Sequence, residues 1–168
     1  MKTSYIFLSF FIPVLLTSQA IAGPPGFGKG KGHGPMGGGD FRGVIHELFA
    51  AHEDFDRKVV LTENGYRATT TSAKPETAKL LQKHVSQMES RLDGGFGVRH
   101  WDPAFAELRE HYDDIEVKLT NIKGGVAVTV TGKTPAAVKV AQNHAKIVSG
   151  FVERGHTEAQ KEHARALK

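Results

Sequence analysis

The chain has 168 residues, with 22 Lys and Arg against 18 Asp and Glu and a formal net charge of +4. Its length suffices for one unstapled core, and its basic residues form no cluster interleaved with aromatics, so nucleic acid is not an expected partner. The absence of Cys excludes disulfides, thiolate metal sites, iron–sulfur clusters and covalently attached c-type haem.

Residues 1–22 carry Lys2, an apolar run from Tyr5 to Leu16 and an Ala20-Ile21-Ala22 end. The apolar run is shorter than the roughly 20 residues a membrane span needs, and it ends in small residues, the pattern of a cleaved secretory signal. A periplasmic or secreted location is therefore expected, with no span in the mature chain. Residues 23–39 are too rich in Gly and Pro to offset ordering entropy by burial and read as a flexible tail. His33 and Met36 lie in it and are expected to be solvated.

Residues 40–156 read as one domain containing two similar stretches, 47–95 and 107–155. Gly65, Thr69, Thr71, Pro75, Lys79, His84 and Gly95 recur sixty residues later as Gly125, Thr129, Thr131, Pro135, Lys139, His144 and Gly155. Each stretch predicts helix, strand, strand, helix. The helical period of Val44, Leu48, Ala51 and Phe55 predicts a first helix over 41–55, and Phe105, Leu108, Tyr112 and Ile115 predict its counterpart over 104–115. Period-two alternation then predicts strands, with Val59, Leu61, Tyr66, Ala68 and Thr70 facing a core, matched by Val117, Leu119, Val126, Val128 and Val130. Asn64-Gly65 and Gly124-Gly125 are expected to supply the positive backbone angles of tight hairpins.

Pro75 and Pro135 suit the first turn of two longer helices, with Thr134 as N-cap of the second. The stripe Ala78, Leu81, Val85, Met88, Leu92 matches Val138, Ala141, Ala145, Val148, Val152. Val140, Ile147 and Phe151 add a second apolar flank only in the later helix, which implies different neighbours for the two. Trp101 is expected to plug the core or an interface, or to wall a ligand pocket with Phe96 and His100. Residues 157–168 read as a polar, solvated C-terminal tail. The predicted fold is α+β: a duplicated αββα unit related by a pseudo-twofold, forming a four-stranded antiparallel sheet with its helices on one face.

Catalytic motifs such as G-x-S-x-G, H-E-x-x-H or a P-loop do not occur in the required context, so an enzyme is not expected. The repeat-matched pairs Glu53-Asp54 and Asp113-Asp114 point to different sides of a helix and are read as solvated. The histidines are more informative. His84 and His144 lie beside the apolar stripes of the long helices, and Met88 is one turn from His84. Imidazole and thioether suit copper, and paired imidazoles suit axial ligation of a b-type haem. Helix lengths make His46 the third candidate ligand. His52 and His111 are expected to be plain helix-end residues. The sequence thus predicts an exported, non-enzymatic binding protein holding copper or b-type haem. Its alternative is an interaction module for an unidentified periplasmic protein, with structural histidines.

Overall fold

β-branched residues in period-two alternation give two hairpins: β1 (Phe55–Thr62) with β2 (Gly65–Ser72), and β3 (Ile115–Ile122) with β4 (Gly125–Gly132). In the computed structural model, which describes residues 38–94 and 98–168, β2 and β4 pair at the centre of one four-stranded antiparallel sheet. The order is β1-β2-β4-β3, and Ala68 faces Val128 in the central register. The chain is therefore α+β. The predicted signal segment and most of the Gly/Pro-rich tail, including His33 and Met36, lie outside the described residues, as does Phe96.

The helices are α1 (Gly38–Ala50), α2 (Pro75–Asp93), α3 (Pro103–Glu110), α4 (Pro135–Arg154) and the short α5 (His156–Ala159). Both short helices end earlier than their apolar period suggests. Single 3₁₀ turns, His52–Asp54 and Tyr112–Asp114, follow them, and Phe55 and Ile115 open strands. The reason is a change of period, because Phe55, Arg57 and Val59 continue one inward row of β1 while Asp56, Lys58 and Val60 point out. Strands and 3₁₀ turns recur sixty residues apart, which matches His52 with Tyr112 rather than with His111.

In the hairpins, the two residues outside the strands are Glu63-Asn64 and Lys123-Gly124. Gly124 has the positive φ expected of a turn, +77°. Gly65 is also at positive φ, +153°, and both it and Gly125 serve a further purpose: a Cβ on either would collide with a backbone carbonyl of the neighbouring central strand, Val130 or Thr70. Close approach of β2 and β4 requires them.

Two glutamines fasten the long helices across the sheet. The Gln82 side-chain amide of α2 donates to the carbonyls of Ile122 and Gly125, and that of Gln142 in α4 donates to Thr62 and Gly65. Each helix is thus tied to the hairpin of the other half. Tyr66, Ala68, Ile115 and Val130 pack with Leu108, Ala137, Val140, Ala141 and Ala145 in the main core, while Lys58, Val60, Arg67 and Thr69 lie exposed on the other face. A second cluster joins Ala104, Phe105 and Ile147, with Phe151 and Val98 against it. Ile147 and Phe151 of the extra apolar flank of α4 are used there, and Val140 in the main core. In α2 only Ala78 of the matching stripe is fully buried among the described side chains. Thr134 caps α4 as expected, accepting from the Ala137 N–H at 3.2 Å.

The C-terminal segment is docked rather than free, although most of its residues stay exposed. Asp102, wholly buried, N-caps α3 and also accepts from the backbone N–H and the imidazole of His163. Glu107, also wholly buried, accepts from the backbone N–H groups of Ala166 and Leu167. Two inward carboxylates on α3 thereby supply acceptors for donors that an extended tail would otherwise leave unmet. Trp101 is 48% exposed rather than a core plug, and the Arg99 guanidinium lies 4.3 Å over its ring. Arg99 adopts φ +49° and bonds to Asp102 and to the carbonyls of Ala159 and Lys161.

Candidate functional site

The two histidines expected to hold a metal, His84 and His144, have different ring neighbours. His84 lies 6.2 Å, ring to ring, from Phe41 of α1, whereas His144 meets Phe105 of α3 edge-on at 5.4 Å. Burial pushes both imidazoles down to about 4, and the Arg57 charge adds to the effect at His144, so both are neutral near pH 7. The His84 Nδ1 is buried without a hydrogen-bond partner. Met88, one turn along α2, is half-buried. His46 is exposed on α1 and faces His156, with ring centroids 5.7 Å apart. Among the described residues no three His, Asp or Glu side chains converge so as to hold a metal ion.

His52 does meet a helix end, but that of α4. Its Nδ1–H donates to the Val152 carbonyl at 3.0 Å, satisfying a last-turn acceptor and leaving Nε2 available on the other side of the ring. An open cleft of about 340 Å³ lies beside it, between the start of β1 and the C-terminal half of α4. Its volume falls at the lower end of the range for small-molecule sites, about 300–1,000 Å³.

The cleft contains Arg57, on the inward row of β1 opposite Thr70. Its Nη1 donates to the Thr70 hydroxyl at 2.8 Å and its Nε to the Ser149 hydroxyl at 3.3 Å. Burial works against its charge and lowers its pKa. Even so, no carboxylate among the described residues pairs with it. Two neutral hydroxyls are weak compensation for a guanidinium with five donors, which leaves the group short of an anion. Sixty residues on, the corresponding position of β3 is Val117.

Arg57 went unnoticed in the sequence because a single basic residue in a strand usually faces water. A signal was nevertheless present: Arg57 continues the inward alternation that includes Val59, and its partner position sixty residues later is apolar. The other concentration of charge, formed by Asp102, Glu158, His163, Arg99, Arg154 and Lys161, is internally paired. It anchors the C-terminal segment. Hydrogen bonds from Arg154 and then Lys161 hold the Glu158 carboxyl well below its usual range.

No family model matches the chain, and no curated protein or solved structure shows significant similarity to it. Among the described residues no helix is long and apolar enough to cross a membrane.

Proposed function

We propose that this chain is a small, non-enzymatic binding protein of an exported compartment, built by duplication of an αββα unit, and that it takes a small anionic ligand in the Arg57 cleft. The observation carrying this reading is the half-buried guanidinium of Arg57, which has hydroxyl partners but no carboxylate partner among the described residues. A ligand carboxylate would complete the charge with a bidentate pair. The Ser149 and Thr70 hydroxyls hold the guanidinium, and His52, its Nδ1 bonded to the Val152 carbonyl, lines the same cleft.

The duplicated origin is supported by the sixty-residue recurrence of strands and by the reciprocal Gln82 and Gln142 bonds. The exported location rests on the character of residues 1–22 alone.

The test is a titration of the mature chain with acetate, butyrate and inorganic phosphate, followed by the amide shifts of β1 and the last turns of α4. Saturable shifts at Arg57, Ser149 and Val152 with a carboxylate, lost in Arg57→Gln, are expected. Absence of saturation with all three anions would refute the reading.

One observation favours a second reading, copper or b-type haem on His84 and His144 with Met88: the buried, unpartnered Nδ1 of His84. A neutral imidazole with an unused ring nitrogen is competent to ligate. Addition of Cu(I), Cu(II) or haem to wild type and His84→Ala separates this reading from the first, because the Arg57 cleft does not include His84.

A further inference from the structure

The cleft holds more than a cation. Glu53, from the 3₁₀ turn after α1, and Glu153, from the last turn of α4, line it as well, and both are exposed. Neither lies within ion-pair distance of Arg57, and Glu153 pairs instead with Arg154 at 2.7 Å. Phe55, Val59 and Val152 supply apolar wall in the same cleft.

A simple anion entering this cleft gains Arg57 but is repelled by two carboxylates. A simple cation gains the carboxylates and is repelled by Arg57. A molecule bearing both charges meets each with its complement, while a short hydrocarbon segment covers the apolar wall. We propose, on the reading that Arg57 binds an anion, that the ligand is a small zwitterion of the amino-acid type, its carboxylate on Arg57 and its ammonium group toward Glu53 and Glu153.

The pairing also accounts for the arrangement along the chain. Glu53 and Arg57 are four residues apart but belong to a 3₁₀ turn and a strand, and they line the same cleft without forming an ion pair. At the positions sixty residues on from Glu53 and Arg57 the chain has Asp113 and Val117, so the second half keeps the acid and lacks the base. The chemistry is therefore confined to one side of the molecule.

Four probes of equal carbon number test the proposal: butyrate, butylamine, 2-aminobutyrate and 4-aminobutyrate, titrated into the full mature chain by calorimetry and by amide shifts. At least one aminobutyrate should bind tenfold or more tighter than butyrate, and butylamine should be the weakest. In Glu53→Gln/Glu153→Gln, both surface changes, that preference should shrink severalfold while butyrate binds as well as before or better. Arg57→Gln should abolish binding of every carboxylate probe, with a thermal transition showing that it is folded. Butyrate binding equal to or tighter than both aminobutyrates would overturn the zwitterion while leaving the anion site in place. No binding of any probe, or binding untouched by Arg57→Gln, would overturn both. Self-association of Arg57→Gln through β1 with unchanged binding would instead make the inward arginine a guard of the sheet edge, also against the proposal.

Discussion

Asp102 and His163 are joined twice: the imidazole Nδ1 donates to Oδ2 at 2.6 Å, and the backbone N–H of His163 donates to Oδ1 at 3.1 Å. The same carboxylate caps α3 through Ala104. Burial pushes its carboxyl up, but the bonds from His163 and Arg99 outweigh that and hold it below the usual range. One side chain thus fixes a helix start and the chain sixty-one residues later. Asp102→Ala is expected to cost roughly 3–5 kcal/mol for breaking a buried charge pair, with the lost cap adding about 1 kcal/mol. Urea unfolding checks this, and a loss below about 1 kcal/mol would show that the tail docking is incidental.

Glu107 makes a more local prediction. Its two oxygens receive the N–H groups of Ala166 and Leu167, and an amide in its place would turn a donor toward one of them. Glu107→Gln should therefore release residues 163–168 while α3 persists. Hydrogen exchange at the Ala166 and Leu167 amides should accelerate by at least an order of magnitude, consistent with local opening. Protection retained at both would contradict the assigned bonds.

Gly65→Ala and Gly125→Ala are each expected to destabilise the fold by more than about 2 kcal/mol, because the new methyl group would collide with a carbonyl of a paired strand. Gly43→Ala, in open space on α1, should instead be neutral or stabilising by up to about 1 kcal/mol. Thermal melts of the three variants give the comparison. Similar melting temperatures for Gly65→Ala and Gly43→Ala would remove the close-approach argument.

The sheet and the long helices were legible because period two and period 3.6 are written directly in residues such as Tyr66, Ala68 and Thr70, or Val138, Ala141 and Ala145. The ends of α1 and α3 were not, since Phe55 and Ile115 satisfy both periods and only pairing with Ser72 and Gly132 makes them strand. The C-terminal segment was misjudged for a related reason. Polarity suggests water, but Asp102 and Glu107, buried on α3, create an interior that suits backbone donors. Helix lengths make His46 a third candidate ligand with His84, but its ring faces His156, a contact that depends on how α5 folds back onto α1. That tertiary placement leaves no local mark.

The two sheet faces make a paired test. Val130 is 6% exposed on the inward row, and Thr129 beside it belongs to the outward row with Arg67 as its partner. Val130→Asp should cost several kcal/mol because an unpaired carboxylate is buried or must protonate. Thr129→Asp should cost less than about 1 kcal/mol, since the new charge faces water and Arg67. Val128, on the inward row but half-buried, should fall between them. Equal losses at 129 and 130 would reverse the assigned faces.

Acid should weaken the fold before its carboxylates titrate. His84 and His144 protonate near 4 in the folded chain, against about 6.5 when unfolded. Between those values the unfolded state binds more protons, so the contribution of both groups is complete above about pH 6.5 and is lost as pH falls toward 4. The loss should be on the order of a few kcal/mol for the pair. Carboxylates held low, such as Asp102 and Glu158, act in the same direction but only as pH falls through the ordinary carboxylate range. The two effects are therefore separable. Denaturation midpoints at pH 7, 5.5 and 4.5 should decline for wild type and decline much less for His84→Met/His144→Met, which keeps apolar contact with Phe41 and Phe105 but cannot protonate. A double variant with the same decline as wild type would assign the acid sensitivity elsewhere and remove the buried-imidazole account.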